Sequence, residues 1–235
     1  MTAETPVSAV PRSSGRGIVA AGLLGAALLS LLYSVVVPRL GWNAGVRGVV
    51  SYLVFWVPLV AATVWWASTR RPVFKELLRF KPIDILWGLV IGLLARAVAV
   101  LIDWLVYGRA GGVISLPTID GEQPNPWLLA FTVILAPALI APFIEESFFR
   151  GALLTSLRTS ARSSAAIAVV ASAVIFAIMH LLQATGVQQL LATGGGTLVM
   201  GLAVGILAVT TGRLGGAIVA HITFNAAVLL PSLLG

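Results

Sequence analysis

Cysteine is absent from all 235 residues. That excludes disulfides, thiolate metal sites and cysteine nucleophiles. Charge is scarce too: Asp, Glu, Lys and Arg make up 10% of the chain, against about 25% in a soluble domain. Such a chain cannot cover a soluble globule with solvated groups. Only two histidines and eight acidic residues are present, so every ionisable group inside an apolar stretch needs a reason. What fills the chain is hydrophobic, 59% of residues, with a mean hydropathy of +1.02. This is the composition of a polytopic membrane protein. Seven tryptophans suit membrane interfaces, where an indole can be half wet. The net charge of +7 does not point to nucleic acid, because the basic residues lie in short loops between apolar runs, the pattern that orients helices in a bilayer.

Apolar runs fall at 17–37, 48–68, 84–107, 127–157, 165–184, 190–211 and 214–234. A helix needs roughly 20 apolar residues to cross a bilayer, so the pattern predicts an all-α transmembrane bundle of about seven spans. Residues 1–16, polar and rich in Ser, Thr and Pro, read as a disordered cytoplasmic tail. Residues 17–126 then form an N-terminal set of spans and 127–235 a C-terminal bundle. The first run is too long for the apolar core of a signal peptide, roughly 7–15 residues, and reads as an uncleaved span. The fourth exceeds a simple crossing and holds Pro137 and Pro142, which predicts a kink or an interfacial segment.

Lys and Arg give the orientation. With the N-terminus inside, the inner segments hold Arg12, Arg16, Arg70, Arg71, Lys75, Arg79, Lys81, Arg150, Arg158, Arg162 and Arg213. The outer loops hold Arg39, Arg47 and Arg109, eleven against three. This predicts a multi-pass cell-membrane protein with a cytoplasmic N-terminus and an external loop 108–126 carrying Asp120 and Glu122.

A charge in lipid costs about 2.5–3.5 kcal/mol on insertion scales, so the ionisable residues within spans are the informative ones. Arg96 and Asp103 are two helical turns apart and share a side, which a structural salt bridge through an intermediate group or a contact with a bundle partner explains. Gly201 and Gly205 form a GxxxG pair, a signal for close helix packing. Glu145, Glu146 and Arg150 read EExxxR. Glu146 and Arg150 at i, i+4 can pair on one face, while Glu145 is rotated about 100° away. Two adjacent carboxylates cannot both ionise cheaply in a low dielectric without a compensating cation or proton. A charged helix end at the inner interface is the plainer alternative. His180 follows Phe176 by one turn, and alone it reads as a satisfied structural histidine. His221 and Asn225 at i, i+4 share a face, where Asn225 could orient the imidazole, face a developing oxyanion, or bond another helix. Together, two Glu, two His, Asn and Arg on three spans are more than packing needs. They suit a hydrated site that activates a nucleophile.

These three motifs, EExxxR, FxxxH and HxxxN in that order on C-terminal spans, resemble the CPBP family of intramembrane peptidases, which joins CAAX prenyl proteases with bacteriocin-processing enzymes. The resemblance covers roughly residues 127–230. It implies a helical bundle with a polar cavity open to the cytoplasmic side. Glu145 would activate the attacking water, with His180 beside it. Glu146 and Arg150 would hold their helix end, His221 and Asn225 would stabilise the oxyanion, and Phe176 would shape the site. The substrate would be a peptide or membrane protein, with membrane lipid as the surrounding partner. A divalent metal such as zinc would not be obligatory. If one took part, Glu145, His180 and His221 would hold it. A non-catalytic scaffold or immunity protein on the same fold, and a proton relay, are the competing readings.

Helical depth tests the assembly. Measured from 157, 164 and 213, Glu145, His180 and His221 stand about 18, 24 and 12 Å along their helices. Tilt, a kink at Pro142 or a deeper start to the fifth span must close the difference, and the fourth helix must continue past Glu145.

Overall fold

The computed structural model describes residues 12–108, 125–158, 162–182 and 184–234. Eight helices account for them: α1 Arg12–Val36, α2 Ala44–Thr69, α3 Arg71–Leu77, α4 Ile83–Tyr107, α5 Pro126–Leu157, α6 Arg162–Leu181, α7 Val187–Thr211 and α8 Gly215–Leu234. A 3₁₀ turn, Val37–Arg39, extends α1. Six helices are long and apolar enough to cross a membrane, and a shorter apolar stretch, Gly215–Leu229, lies in α8. Large apolar side chains such as Leu28, Val64, Leu94, Leu105 and Ile167 point outward and are more than half exposed. That surface is stable only against lipid. The chain is a multi-pass membrane protein.

Residues 12–16, expected in the polar tail, are helical instead. Arg16 ties the start of α1 to the end of α5 through Nε and the carbonyl of Ser156 (3.1 Å). Residues 1–11 of the expected tail, and most of the loop 108–126 with Arg109, Asp120 and Glu122, lie outside the described residues.

The two ends of the bundle can be told apart by their bonds. At one end, Trp66 Nε1 donates to Ser156 Oγ (2.9 Å), Leu214 N donates to the Leu77 carbonyl (2.8 Å), and Arg213 pairs with Asp84 (2.6 Å). These bonds gather α3, the end of α2, the starts of α4 and α8 and the end of α5. Arg213 gains more than a contact, since the bond to Asp84 raises its affinity for its proton. At the other end, Tyr33 donates to the Arg47 carbonyl (2.9 Å) and Gln188 to the Val106 carbonyl (3.4 Å).

α5 runs between two apolar clusters. One joins α1, α2, α5 and α6 through Val19, Leu59, Trp66, Phe148, Phe149 and Phe176. The other joins α4, α7 and α8 through Ala95, Ala99, Met200, Val204, Ala220 and Phe224. α5 does not break at its prolines. It takes π-helical turns at Ala130–Ile140 and Ser147–Leu153, with α-helix between them at Ala141–Glu146. A proline cannot donate to the ladder and its ring crowds the carbonyl of the preceding turn. Wider turns relieve that crowding, and π-helical turns are common at functional sites. The helix therefore continues past Glu145 to Leu157.

α7 ends at Gly212, whose φ of 68° is left-handed and favours glycine. That tight turn returns the chain directly into α8. Along its length, α8 lies against Gly88 and Gly92 of α4, where an added Cβ would collide with Val219, Ala220 and Thr223. Gly201 and Gly205 play the same part between α7 and α6, against Ala173 and Val169. The helices that carry His180 and His221 are thus held at small-residue spacing.

Candidate active site

Glu145 and Glu146 end the short α-helical stretch of α5, and both are buried. Their directions differ, as expected of neighbours rotated about 100°. Glu146 faces the interior. Its Oε1 accepts from Arg150 (2.9 Å) and from Nδ1 of His221 (2.9 Å). Arg150, 1% exposed, uses its other terminal nitrogen to reach the Gly201 carbonyl (3.1 Å). Its guanidinium also lies 4.5 Å from the Phe176 ring centroid. One cation therefore ties α5 to α6 and α7, and one carboxylate ties α5 to α8.

Glu145 faces a cavity of about 280 Å³. Its Oε2 lies 3.7 Å from Nε2 of His180 and 3.9 Å from Nε2 of His221. Both separations are too long for a direct hydrogen bond and suit a bridging water. The tautomers follow from the other ring nitrogens. Nδ1 of His180 meets the Phe176 carbonyl at 2.9 Å, and a carbonyl can only accept, so that nitrogen carries the proton. Nδ1 of His221 donates in the same way to Glu146. In each neutral ring Nε2 is left as an acceptor, and both Nε2 atoms face Glu145. Three lone-pair donors thus surround one small volume.

Phe176 holds the rings in place. Its centroid lies 4.3 Å from that of His180 and 5.8 Å from that of His221. Asn225 lines the same cavity and donates from Nδ2 to the Pro137 carbonyl (2.7 Å). In the π register that carbonyl would be met by the N–H of residue 142, which proline lacks. Asn225 thus ties α8 to α5 at the carbonyl five residues before Pro142. Its second amide hydrogen is not used by that bond.

All six expected site residues therefore meet. Glu145, His180, His221 and Asn225 line the cavity, while Glu146 and Arg150 stand behind it. Arg96 and Asp103, expected to join through an intermediate group or a bundle partner, pair directly at 3.5 Å. Several lining residues carried no signal in the sequence. Tyr52 of α2 contributes to the wall and donates to the Thr132 carbonyl (2.9 Å). Thr197 and Met200 of α7 and Phe224 of α8 complete it. Phe224 falls between two motif residues and could have been found by position; a lone tyrosine in an apolar span could not.

Glu145, His180 and His221 offer the donor types of a zinc site, but their placement does not fit the ion. Bonds of about 2.0–2.2 Å in a tetrahedron put ligand atoms roughly 3.4 Å apart, and the separations from Oε2 are longer. Among the described residues no three His, Asp or Glu side chains stand in ion-holding geometry.

A second, apolar groove of about 500 Å³ lies between α2, α3 and α5. It meets α5 at Phe143, Ile144 and Ser147, and neither carboxylate lines it.

Comparison with known proteins agrees with the motifs. Residues 126–227 match the family model described as Type II CAAX prenyl endopeptidase Rce1-like. No curated protein and no solved structure matches the chain. The matched segment contains all of EExxxR, FxxxH and HxxxN, and so the chain carries, over residues 126–227, an Rce1-like type II CAAX prenyl endopeptidase domain of the CPBP family.

Proposed function

We propose that the chain is an intramembrane endopeptidase that hydrolyses a peptide bond with a water activated by Glu145. The observation that carries the reading is the convergence of Glu145, His180 and His221, from three helices, on one cavity. Water held among Oε2 and the two Nε2 atoms loses a proton to Glu145 as its oxygen attacks the carbonyl carbon. The tetrahedral oxyanion needs donors. The free Asn225 amide hydrogen is one. Neutral His221 accepts from the water through Nε2, and Glu146, accepting at Nδ1, fixes that tautomer as a carboxylate does in a hydrolytic triad. The C–N bond then breaks, and Glu145 returns its proton to the leaving amine. Arg150 neutralises Glu146 and touches no reacting atom.

The substrate is a peptide bond in a membrane-borne chain, and the basic end of the bundle lies in the cytoplasm. Glu145→Gln keeps the side chain's size and removes the base. General-base catalysis contributes typically 10²–10⁴-fold, and a loss of about that size is expected. Membranes from cells carrying Glu145→Gln should accumulate uncleaved peptides that the unaltered protein removes, as read by proteomics. A well-folded Glu145→Gln protein that leaves the same peptide profile would sink the proposal, and a non-catalytic scaffold would take its place.

A further inference from the structure

The groove between α2, α3 and α5 carries polar groups that the reaction does not use. Its walls are apolar, and Val64, Leu78 and Phe143 on them are exposed on the lipid-facing surface. At the α3 end stand Arg71 and Lys75, which at i, i+4 share a face of that helix. Both are exposed. The acid of α3, Glu76, is taken by Arg79 (3.1 Å), and no Asp or Glu lines the groove. Two cations thus stand at its edge without a counter-ion among the described residues.

Two hydroxyls lie further from that end. Thr63 of α2 is 7% exposed and Ser147 of α5 is 5% exposed. Both residues line the groove, and neither hydroxyl has a hydrogen-bond partner among the described residues. A buried hydroxyl left unpaired is costly. Neighbours on α2 show the usual remedy, since Ser68 and Thr69 each donate to the carbonyl three residues back. Thr63 and Ser147 make no such bond. Thr63 precedes Arg71 by eight residues, about 12 Å of helical rise, and an extended arginine side chain closes part of that distance.

Cations at the edge, hydroxyls beneath them and hydrocarbon walls around both follow one order along the groove. A glycerophospholipid presents the complementary order of phosphate, acyl ester carbonyls and chains. A hydrocarbon alone would leave the cations and hydroxyls unused. A free phosphate would leave the walls and hydroxyls unused. A peptide strand would bring a backbone donor and acceptor at every residue, and the apolar walls have nothing to offer most of them.

We infer that this groove binds one anionic glycerophospholipid, its phosphate at Arg71 and Lys75 and an ester carbonyl accepting from Thr63 or Ser147. The lipid would lie against α5 immediately after Glu146, since Ser147 is the next residue. Its binding does not depend on the endopeptidase reading and is measured without cleavage. Native mass spectrometry of the full chain in detergent, with dioleoyl phosphatidylglycerol and dioleoyl phosphatidylcholine supplied in equal amounts, compares two lipids that share chains and esters and differ in net charge. A cation close to anionic headgroups is worth about fivefold in affinity. The parent should therefore retain phosphatidylglycerol over phosphatidylcholine, and a double Arg71→Gln, Lys75→Gln variant should lose about 30-fold of that preference. A double Arg39→Gln, Arg47→Gln variant, altered at the opposite end, should keep it. Thr63→Val keeps the shape and removes the hydroxyl, and both lipids should bind it about 2–10-fold more weakly. Glycerol 3-phosphate, a head without chains, should displace neither lipid. Equal retention of the two lipids by the parent, an unaltered preference without Arg71 and Lys75, or binding at the parent's strength in Thr63→Val overturns the inference, each in protein that elutes as a single species. Displacement by glycerol 3-phosphate would make the groove an anion site and overturn it as well. If removal of Arg71 and Lys75 leaves lipid retention unaltered but stops peptide release, the groove belongs to the substrate chain and the inference falls.

Discussion

Arg150 is a cation with almost no contact with solvent, held by one carboxylate, one backbone carbonyl and the face of one aromatic ring. Its energetics are those of a buried pair: removing one partner strands the other, at about 3–5 kcal/mol. Arg150→Ala would leave Glu146 with His221 alone, and a fall in unfolding free energy of about that size is expected, read from denaturation in detergent micelles. Arg150→Lys keeps the charge but lacks the planar fork that reaches Glu146 and Gly201 together, so it should recover only part of the loss. An Arg150→Ala protein within about 1 kcal/mol of the parent, the level of an exposed pair, would show that the buried geometry is wrong. Glu145 differs from its neighbour for a reason visible in the sequence. The i, i+4 spacing of Glu146 and Arg150 left Glu145 without that partner. What spacing could not disclose is the second partner of Glu146, because His221 comes from a helix 75 residues later.

Helices carry these side chains to the site, and their spacing decides whether the groups meet. α8 reaches its position because Gly88 and Gly92 leave α4 without side chains along the contact. Gly92→Ala would place a methyl group against the Ala220 backbone and Thr223, where backbone cannot give way. Overpacking of this kind costs typically 1–3 kcal/mol. Because His221 follows Ala220 directly, displacement of α8 moves the imidazole away from Glu146. Gly92→Ala should therefore lose stability by about that amount and peptide cleavage as well, measured on one preparation by unfolding and by peptide release. Unchanged values for both would mean that α8 does not depend on this contact. The order of the apolar spans was legible from the apolar runs, since length and hydropathy are enough to define a span, whereas the short α3 carried no such run. The Gly201–Gly205 pair was legible as packing, and Gly88–Gly92 has the same spacing. The π turns of α5 were not, because Pro137 and Pro142 predict a disturbed ladder without saying whether it kinks or widens.

In the whole molecule, the matched segment of 126–227 is not a self-sufficient packing unit. α2 supplies Tyr52 to the cavity wall and packs Leu59 and Trp66 against Phe148 and Phe149. α4 supplies the glycine track for α8 and part of a polar chamber that shares Thr197, Phe224 and Val228 with the cavity. None of these contributions lies in a motif, which is why the sequence placed the chemistry in the C-terminal half and said nothing of its supports. Apolar spans look alike until a fold assigns their faces. Residues 126–235 alone would expose the buried faces of α5 and α8 to lipid, and with them Glu146, Arg150 and His221, whose charges are costly there. That fragment is expected to aggregate on extraction and to release no peptide. Supplying residues 1–125 as a separate chain in the same membrane should restore a single species on size exclusion, because each helix can insert by itself and packing follows insertion. A fragment 126–235 that is monodisperse and cleaves at the parent's rate would show that Tyr52 and the α4 track are dispensable, and that the site closes on the C-terminal helices without them.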